Sequence, residues 1–427
     1  VRFQVRGDVL QVVDVVCSEE QHIKYNTVNE EGKRQRFMFK WFMLAVYIIL
    51  LIYTMAHFHK GLEFITGKKR RYLVGMCTLV GVCCLTILVG RFLPAGGFRR
   101  HVIEFSNYCL GFWIYLVFFF ALLDIALILR KRVWKKPAFT WHTATFGVIL
   151  LLAAGLTFYG GIHARHVTVN TQNVTIHKSV EGMKEMKIVL VSDWHLGYSI
   201  GVRDMKRMVK KINAQNPDLV VVAGDIYDNE YEAIHKPEEV AKVLKGIRSR
   251  YGTYGVYGNH DVSEKLVGGF TTQTDANPTR DPRIDQMMEK AGITMLRDQV
   301  ISGDGKIELV GRLDGEKTGY RNNRRESLCK LMQTVDRNKP VLVLNHEPEH
   351  LKDYKDAGVD LLMAGHTHAG QFFPLTIMRS FVWENYWGVE KLGTATGAVT
   401  SGVGVYGPPL RLLSNSEVMV LNVRFAG

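Results

Sequence analysis

Four apolar stretches, at about 41–58, 72–93, 109–129 and 141–161, constrain this chain more than any other feature. Each has roughly the length, about 20 residues, that an α-helix needs to cross the hydrocarbon core of a bilayer. Trp41, Tyr72, Tyr108, Trp134, Trp141 and Tyr159 flank them, as aromatic side chains flank spans at the membrane–water interface. Buried helices of a soluble core would not combine this length with so few charges and such basic flanks. A signal peptide fits less well, because the runs repeat and are not followed by a cleavage-type end. The expectation is an α-helical membrane anchor of four transmembrane helices over residues 38–162, with a separate folded domain at 163–427.

The formal net charge of +13 is concentrated between the runs, as Lys68, Lys69, Arg70 and Arg71 and as Arg130, Lys131, Arg132, Lys135 and Lys136. Such clusters beside spans suit anionic headgroups, so membrane lipids are expected partners and nucleic acid is not. The bias of basic residues toward the first and third loops places those loops in the cytoplasm and the C-terminal domain on the extracytoplasmic face of an integral, multi-pass protein. Lys33, Arg34, Arg36 and Lys40 pull the other way. Residues 1–37 show no helix or strand period and are read as a leader. It is either a short polar segment or an untranslated extension with Met38 as the start, and the second reading is preferred. Asp124 lies within the third run, where a carboxylate is a functional candidate by default; the preferred reading is pairing within the bundle or a position near the interface.

Beyond residue 163 the pattern changes to short apolar runs alternating with amphipathic helices. Five of those runs end in ligand-type side chains. IVLVSDWHLG delivers Asp193 and His195, AGDIYD delivers Asp225, and YGNHD delivers Asn259, His260 and Asp261. LNHEP supplies His346, and AGHTH supplies His366 and His368. Strand ends of α/β sheets converge at one edge, where sites form. Carboxylate, imidazole and amide donors without thiolate suit Mn, Fe or Zn. Two divalent metal ions sharing one carboxylate can clamp both the attacking and the leaving oxygen of a phosphoryl centre. No C-x-x-C zinc pattern is present.

The ordered set D-x-H, G-D-x-x-D, G-N-H-D, H and G-H-T-H resembles the calcineurin-like metallophosphoesterase superfamily. As SDWHLG, AGDIYD, YGNHD, NHEP and AGHTHAGQ it is similar to the membrane-attached bacterial branch, which includes phosphodiesterases and UDP-2,3-diacylglucosamine hydrolases. The likeness covers about residues 187–424. It implies an α/β domain built as a two-sheet β-sandwich flanked by helices. It implies a first metal bound by Asp193, His195 and His368, a second by Asn259, His346 and His366, and Asp225 bridging them. It also implies His260 beside the substrate phosphate as general acid or transition-state stabiliser, with Asp261 orienting it. Trp194 and Ala369 depart from the branch pattern without removing a ligand, and Trp194 is expected to reshape the pocket wall. Asp228 is expected as a supporting residue or a helix cap. Gly402, Gly404 and Gly407 are expected to shape a loop near the site, and Arg411 is a candidate phosphate contact.

The expected function is a membrane-anchored, metal-dependent hydrolase of a phosphoester or pyrophosphate bond. Its partner is a phosphorylated substrate, and anchoring favours a lipid-linked or envelope one. The competing reading is a membrane sensor or scaffold whose metal domain binds a phosphorylated ligand without turnover. A transporter would need a polar path, and the spans offer little beyond Asp124. No oligomeric state is implied.

Overall fold

The computed structural model describes residues 3–5, 31–66, 70–94, 96–135, 143–264, 266–267, 270–271, 278–320 and 324–427. Four helices open the chain: α1 (Glu31–Thr66), α2 (Arg70–Val89), α3 (Gly97–Arg132) and α4 (Thr143–His163). Most of each apolar run falls within one of them; the second continues past α2 into a 3₁₀ turn at Gly90–Phe92, and the fourth begins outside the described residues. Among the described residues, three stretches are long and apolar enough to cross a membrane, Trp41–Leu62, Gly97–Arg132 and Ala144–His163. Helix α1 starts ahead of its apolar run, so the polar residues from Glu31 are helical, and Phe3–Val5 forms an edge strand, β1. Residues 6–30, most of the expected leader, lie outside the described residues.

Asp124 is paired inside the bundle. Tyr53 Oη donates to its Oδ2 at 2.7 Å, and His57 Nε2 lies 3.2 Å from its Oδ1. A carboxylate facing lipid would cost several kcal/mol, so an inward, partnered position is the stable one.

Two sheets make the C-terminal domain. The six-stranded sheet runs β2-β15-β3-β4-β5-β8. Its strands are β2 (Val167–Ile176), β3 (Glu185–Val191), β4 (Leu219–Ala223), β5 (Thr253–Val256), β8 (Thr294–Met295) and β15 (Ser416–Phe425). A two-stranded hairpin, β6 (Leu266–Val267) and β7 (Phe270–Thr271), lies apart. The seven-stranded sheet runs β1-β9-β10-β11-β12-β14-β13. Its remaining strands are β9 (Gln299–Gly303), β10 (Ile307–Gly311), β11 (Val341–Leu344), β12 (Leu361–Ala364), β13 (Gly388–Leu392) and β14 (Ala395–Val399). Strands β3, β4, β5 and β8 are parallel, as are β10, β11, β12 and β14.

Side-chain alternation builds the layers. Ile188, Leu190, Leu219 and Val221 point inward against Leu309, Leu342, Leu344 and Met363 of the facing sheet. Val189, Val191, Val220 and Val222 point outward, into a second core covered by α5 (Val202–Asn213), α6 (Pro237–Leu244) and α7 (Pro282–Lys290). Val341 and Val343 do the same under α8 (Leu328–Met332) and α9 (Leu351–Asp356). Strands buried on both faces must be apolar throughout, and that is why they read as unbroken runs. The expected two-sheet sandwich with flanking helices is the fold observed.

The domain rests on the helices. Arg100 of α3 donates to the carbonyls of Gly197 and Ala233, and Arg99 pairs with Glu230 at 2.9 Å. Leu410 and Phe372 of the domain enter the apolar cluster formed by Tyr115, Leu116, Phe120 and Phe146.

Candidate metal centre

Every sequence-predicted ligand follows the C-terminal end of a parallel strand. The turns after β3, β4, β5, β11 and β12 carry Asp193 and His195, Asp225, Asn259, His346, and His366 and His368. Five of these residues have positive φ: Asp193 at 53°, His195 at 47°, Asp225 at 52°, His366 at 71° and His368 at 49°. Non-glycine residues adopt this conformation at a cost, and such strain gathers at functional sites. Here it turns each chain sharply at the sheet edge and brings side chains from two sheets together.

Among the described residues three groups of ligand-type side chains form; one joins His195, Asp228 and His260, and the other two hold predicted ligands. Ligand atoms of Asp193, His195 and His368 lie within 4.8 Å of one another, and so do those of Asp225, His346 and His366. Asp225 stands between the sets. Its Oδ2 is 3.6 Å from His195 Nε2 and 3.3 Å from His346 Nε2. Asn259 Oδ1 is 3.1 Å from His346 Nε2, so the amide joins the second set. His346 Nδ1 donates to the carbonyl of Ala223 at 2.8 Å, which orients the ring and turns Nε2 into the site. There Nε2 faces the Asp225 carboxylate, the Asn259 amide oxygen and His366 Nδ1, the last at 3.2 Å. A carboxylate, an amide oxygen and two imidazoles gathered this closely suit a cation among them. In the first set His195 Nε2 and His368 Nε2 are 3.0 Å apart. That is about the spacing of adjacent ligands on an ion with bonds of ~2.1 Å.

Burial acts on every group. Burial would raise the Asp225 carboxyl, yet the imidazoles of His346, His260 and His195 hold it well below the usual carboxylate range. Asp193 is raised, by burial first and then by the Asp225 charge, against the pull of His346. Burial pushes His260 down to about 4 and His366 down to about 3. Against burial, the Asp225 and Asp193 carboxylates hold His346 well above the ordinary histidine value, and Asp228, Asp225 and Asp193 raise His195. These two rings take up positive charge beside the carboxylates, and an ion bound there would displace that proton, since metal binds the neutral imidazole.

Glycines let the loops press on these carboxylates. Gly402 has a φ of +75°, and a Cβ there would come 2.6 Å from the Asp193 side chain. Gly402→Ala is therefore expected to destabilise the protein by about 1–3 kcal/mol and to lower metal content. Gly407, at φ +61° with nothing within 4 Å, is its control and should lose stability alone. Thermal unfolding and elemental analysis of both variants check this.

Several expected roles change. Asp261 does not orient His260: its carboxylate accepts from the backbone N–H groups of Ile226, Tyr227 and Gly258 and so clamps the turn. The His260 ring is held by Asn229, whose Oδ1 accepts from Nδ1 at 2.6 Å. Asp228 stands 3.7 Å from the same Nδ1 and 3.6 Å from His195 Nδ1, a supporting place as expected. Arg411 is not a phosphate contact. It is fully buried and donates to the carbonyls of Ser401, Gly404 and His368, stapling the glycine loop to the site. Trp194 lies in the core beneath the six-stranded sheet rather than in a pocket wall. Tyr406 of the glycine loop packs its ring 4.5 Å from His260 and 5.5 Å from His195. Sequence reasoning flagged that loop but not the tyrosine, and it passed over Asn229 although it directly follows the G-D-x-x-D motif.

Asn229→Ala is expected to lower kcat about 10- to 100-fold, the usual penalty for losing a group that orients a site residue. Asn229→Asp, which keeps an acceptor for Nδ1–H, should retain more activity. Metal content should not change in either.

The profile of the calcineurin-like phosphoesterase family matches residues 186–370. A transmembrane protein with metallophosphoesterase domain from Danio rerio is 27% identical over 331 residues, covering 73% of this chain and 71% of its own. A metallophosphoesterase of Aquifex aeolicus is 30% identical, over 65% of this chain and all of its own length. One of Bacillus subtilis is 31% identical, over 65% of this chain and 95% of its own. Two Helicobacter pylori metallophosphoesterases, each 29% identical, are spanned over 60% of their length. With a membrane-length helical segment joined to this donor-lined sheet edge, the chain is a membrane protein of the calcineurin-like phosphoesterase family, the metal-dependent hydrolases of phosphoric esters.

Proposed function

We propose that this protein is a membrane-anchored di-metal phosphoesterase of the branch that contains phosphodiesterases and UDP-2,3-diacylglucosamine hydrolases. The observation that carries the reading is Asp225, one carboxylate placed between two separate imidazole sets. Asp193, His195 and His368 would hold the first ion, and Asn259, His346 and His366 the second. Bound there, Mn, Fe or Zn would acidify a water and polarise the phosphoryl oxygens. The chain's own residues do the rest. Asp225 keeps its negative charge between the sets, and its Oδ1 accepts from the His260 backbone N–H at 2.9 Å. Asn229 fixes the His260 ring, which would meet the phosphate and serve the leaving oxygen. Asp261 holds the turn that carries Asn259 and His260.

The topology supports a domain on one side of the bilayer, with four spans. Arg99 and Arg100, in the first turn of α3, touch the domain, which supports the N-terminal end of α3 sharing its side. The basic loops between α1 and α2 and between α3 and α4 then face the opposite side. The excess of basic residues marks that side as cytoplasmic, and the domain as extracytoplasmic.

The test uses the full chain in nanodiscs, with an aryl phosphodiester and an aryl phosphomonoester as substrates. Turnover with Mn²⁺ that chelator abolishes and Mn²⁺ restores is the expected result. Two ions bound without turnover on either ester would overturn the hydrolase reading and favour a sensor.

A further inference from the structure

The stretch that follows the last two site histidines is turned inside out relative to a water-facing surface. Among the described residues after 163, nine large apolar side chains are exposed, and six of them fall within residues 375–387. Leu375, Ile377, Met378, Phe381 and Val382 are 49%, 56%, 54%, 81% and 60% exposed. They lie on a short 3₁₀ turn, Leu375–Ile377, and on α10, Arg379–Val382. The cation of this stretch points the other way. Arg379 donates to the carbonyls of Ala369 and Leu413 and lies over the Tyr386 ring, 4.6 Å from its centroid. Soluble surfaces seldom gather large apolar side chains into one such patch.

The patch is continuous with the membrane-length helices. Phe373, two residues before it, packs edge-on against Phe118 of α3 at 4.9 Å, and Phe372 packs against Tyr115 at 6.3 Å. Leu410 and Leu412 enter the same cluster, next to the exposed Leu413. Tyr115 and Phe118 belong to the apolar run of α3, so the segment adjoins a stretch of membrane-spanning length and composition. It is also tied to the metal centre. Trp383 lies 6.1 Å from the His366 ring, and Thr367 Oγ1 donates to the carbonyl of Tyr386 at 2.6 Å.

We infer that residues 375–383 insert into the leaflet on the domain's side and set the mouth of the metal centre at the bilayer surface. An apolar segment between lipid and site admits a phosphoester whose other end is anchored among acyl chains. The substrate class is therefore a lipid phosphoester; this last step rests on the hydrolase reading above, whereas the insertion does not.

The experiment has two arms, both on the full chain in phosphatidylcholine nanodiscs. In the first, a photoreactive benzoylphenylalanine replaces Phe381 or, as a control, the exposed Tyr320. A lipid adduct at 381 and none at 320 is expected. Adducts at 381 only to a second protein chain, or to neither, would overturn the insertion. In the second, the Phe381→Ser, Val382→Ser double variant is compared with wild type. Substrates are phosphatidic acid and phosphatidylglycerol in the discs and the soluble aryl esters. A loss of tenfold or more in kcat/KM on the lipid, with less than a twofold change on the aryl ester, is expected. Equal losses on both, or wild type cleaving the aryl esters but neither lipid, would overturn the substrate class. No turnover on any ester alongside a lipid adduct would sink the hydrolase reading and leave the insertion standing.

Discussion

Asp225→Asn is expected to lower kcat on the order of 10³-fold, about 4 kcal/mol of barrier, and to reduce bound metal from two ions toward one. The substitution keeps the size of the side chain and an oxygen that can accept the His260 backbone N–H, so the turn should survive. What it removes is the negative charge between His195 and His346, at 3.6 and 3.3 Å. Two cations held close together repel strongly in a buried site, and a shared carboxylate offsets that repulsion. Kinetics with metal analysis and thermal unfolding on the same preparation decide the matter. Activity within tenfold of wild type, with two ions retained, would refute the bridging role.

His260→Ala should cost about 10²–10⁴-fold in kcat, with both ions still bound. His260 is in neither proposed ligand set; its ring groups with His195 of the first set and with Asp228. If it serves the leaving oxygen, the loss must depend on the ester. Aryl esters with acidic leaving groups depart without help and should lose least, while alkyl esters should lose most. A uniform loss across a leaving-group series would instead mark His260 as a stabiliser of phosphoryl charge. Loss of a bound ion would mean that it is a ligand.

Much of this centre is legible in the chain because metal chemistry is exacting. A ligand must be one of a few residue types, and a strand end is a short, recognisable place. Asp193, Asp225, Asn259, His346 and the two histidines of AGHTH each satisfy both conditions. The parallel strands are readable for a related reason: burial on both faces leaves Leu219–Ala223 and Val341–Leu344 no polar position. The short edge strands β8 and β13 lack that signature, since partial exposure admits polar residues, as in Gly388–Leu392.

The supporting residues are a different matter. Asn229 holds His260 from 31 residues away, and Arg411 caps His368 from 43 residues away. Neither side chain carries a mark of its role, since asparagine and arginine suit countless turns and surfaces. Only the folded chain shows that Arg411 is buried among carbonyls, and it thereby moves from a phosphate contact to a staple. The same holds for residues 375–383, whose exposed apolar side chains only the folded chain reveals.

By itself, then, the sequence determined the membrane-length helices, the layered α/β domain and the donor set, because bilayer thickness, strand alternation and coordination chemistry each act on residues close in the chain. Only the tertiary structure decided which donors share Asp225, which groups hold His260 and His368, and which apolar side chains stay uncovered. Those outcomes depend on distances across the sheet edge and on what packs above it, and neither is encoded locally.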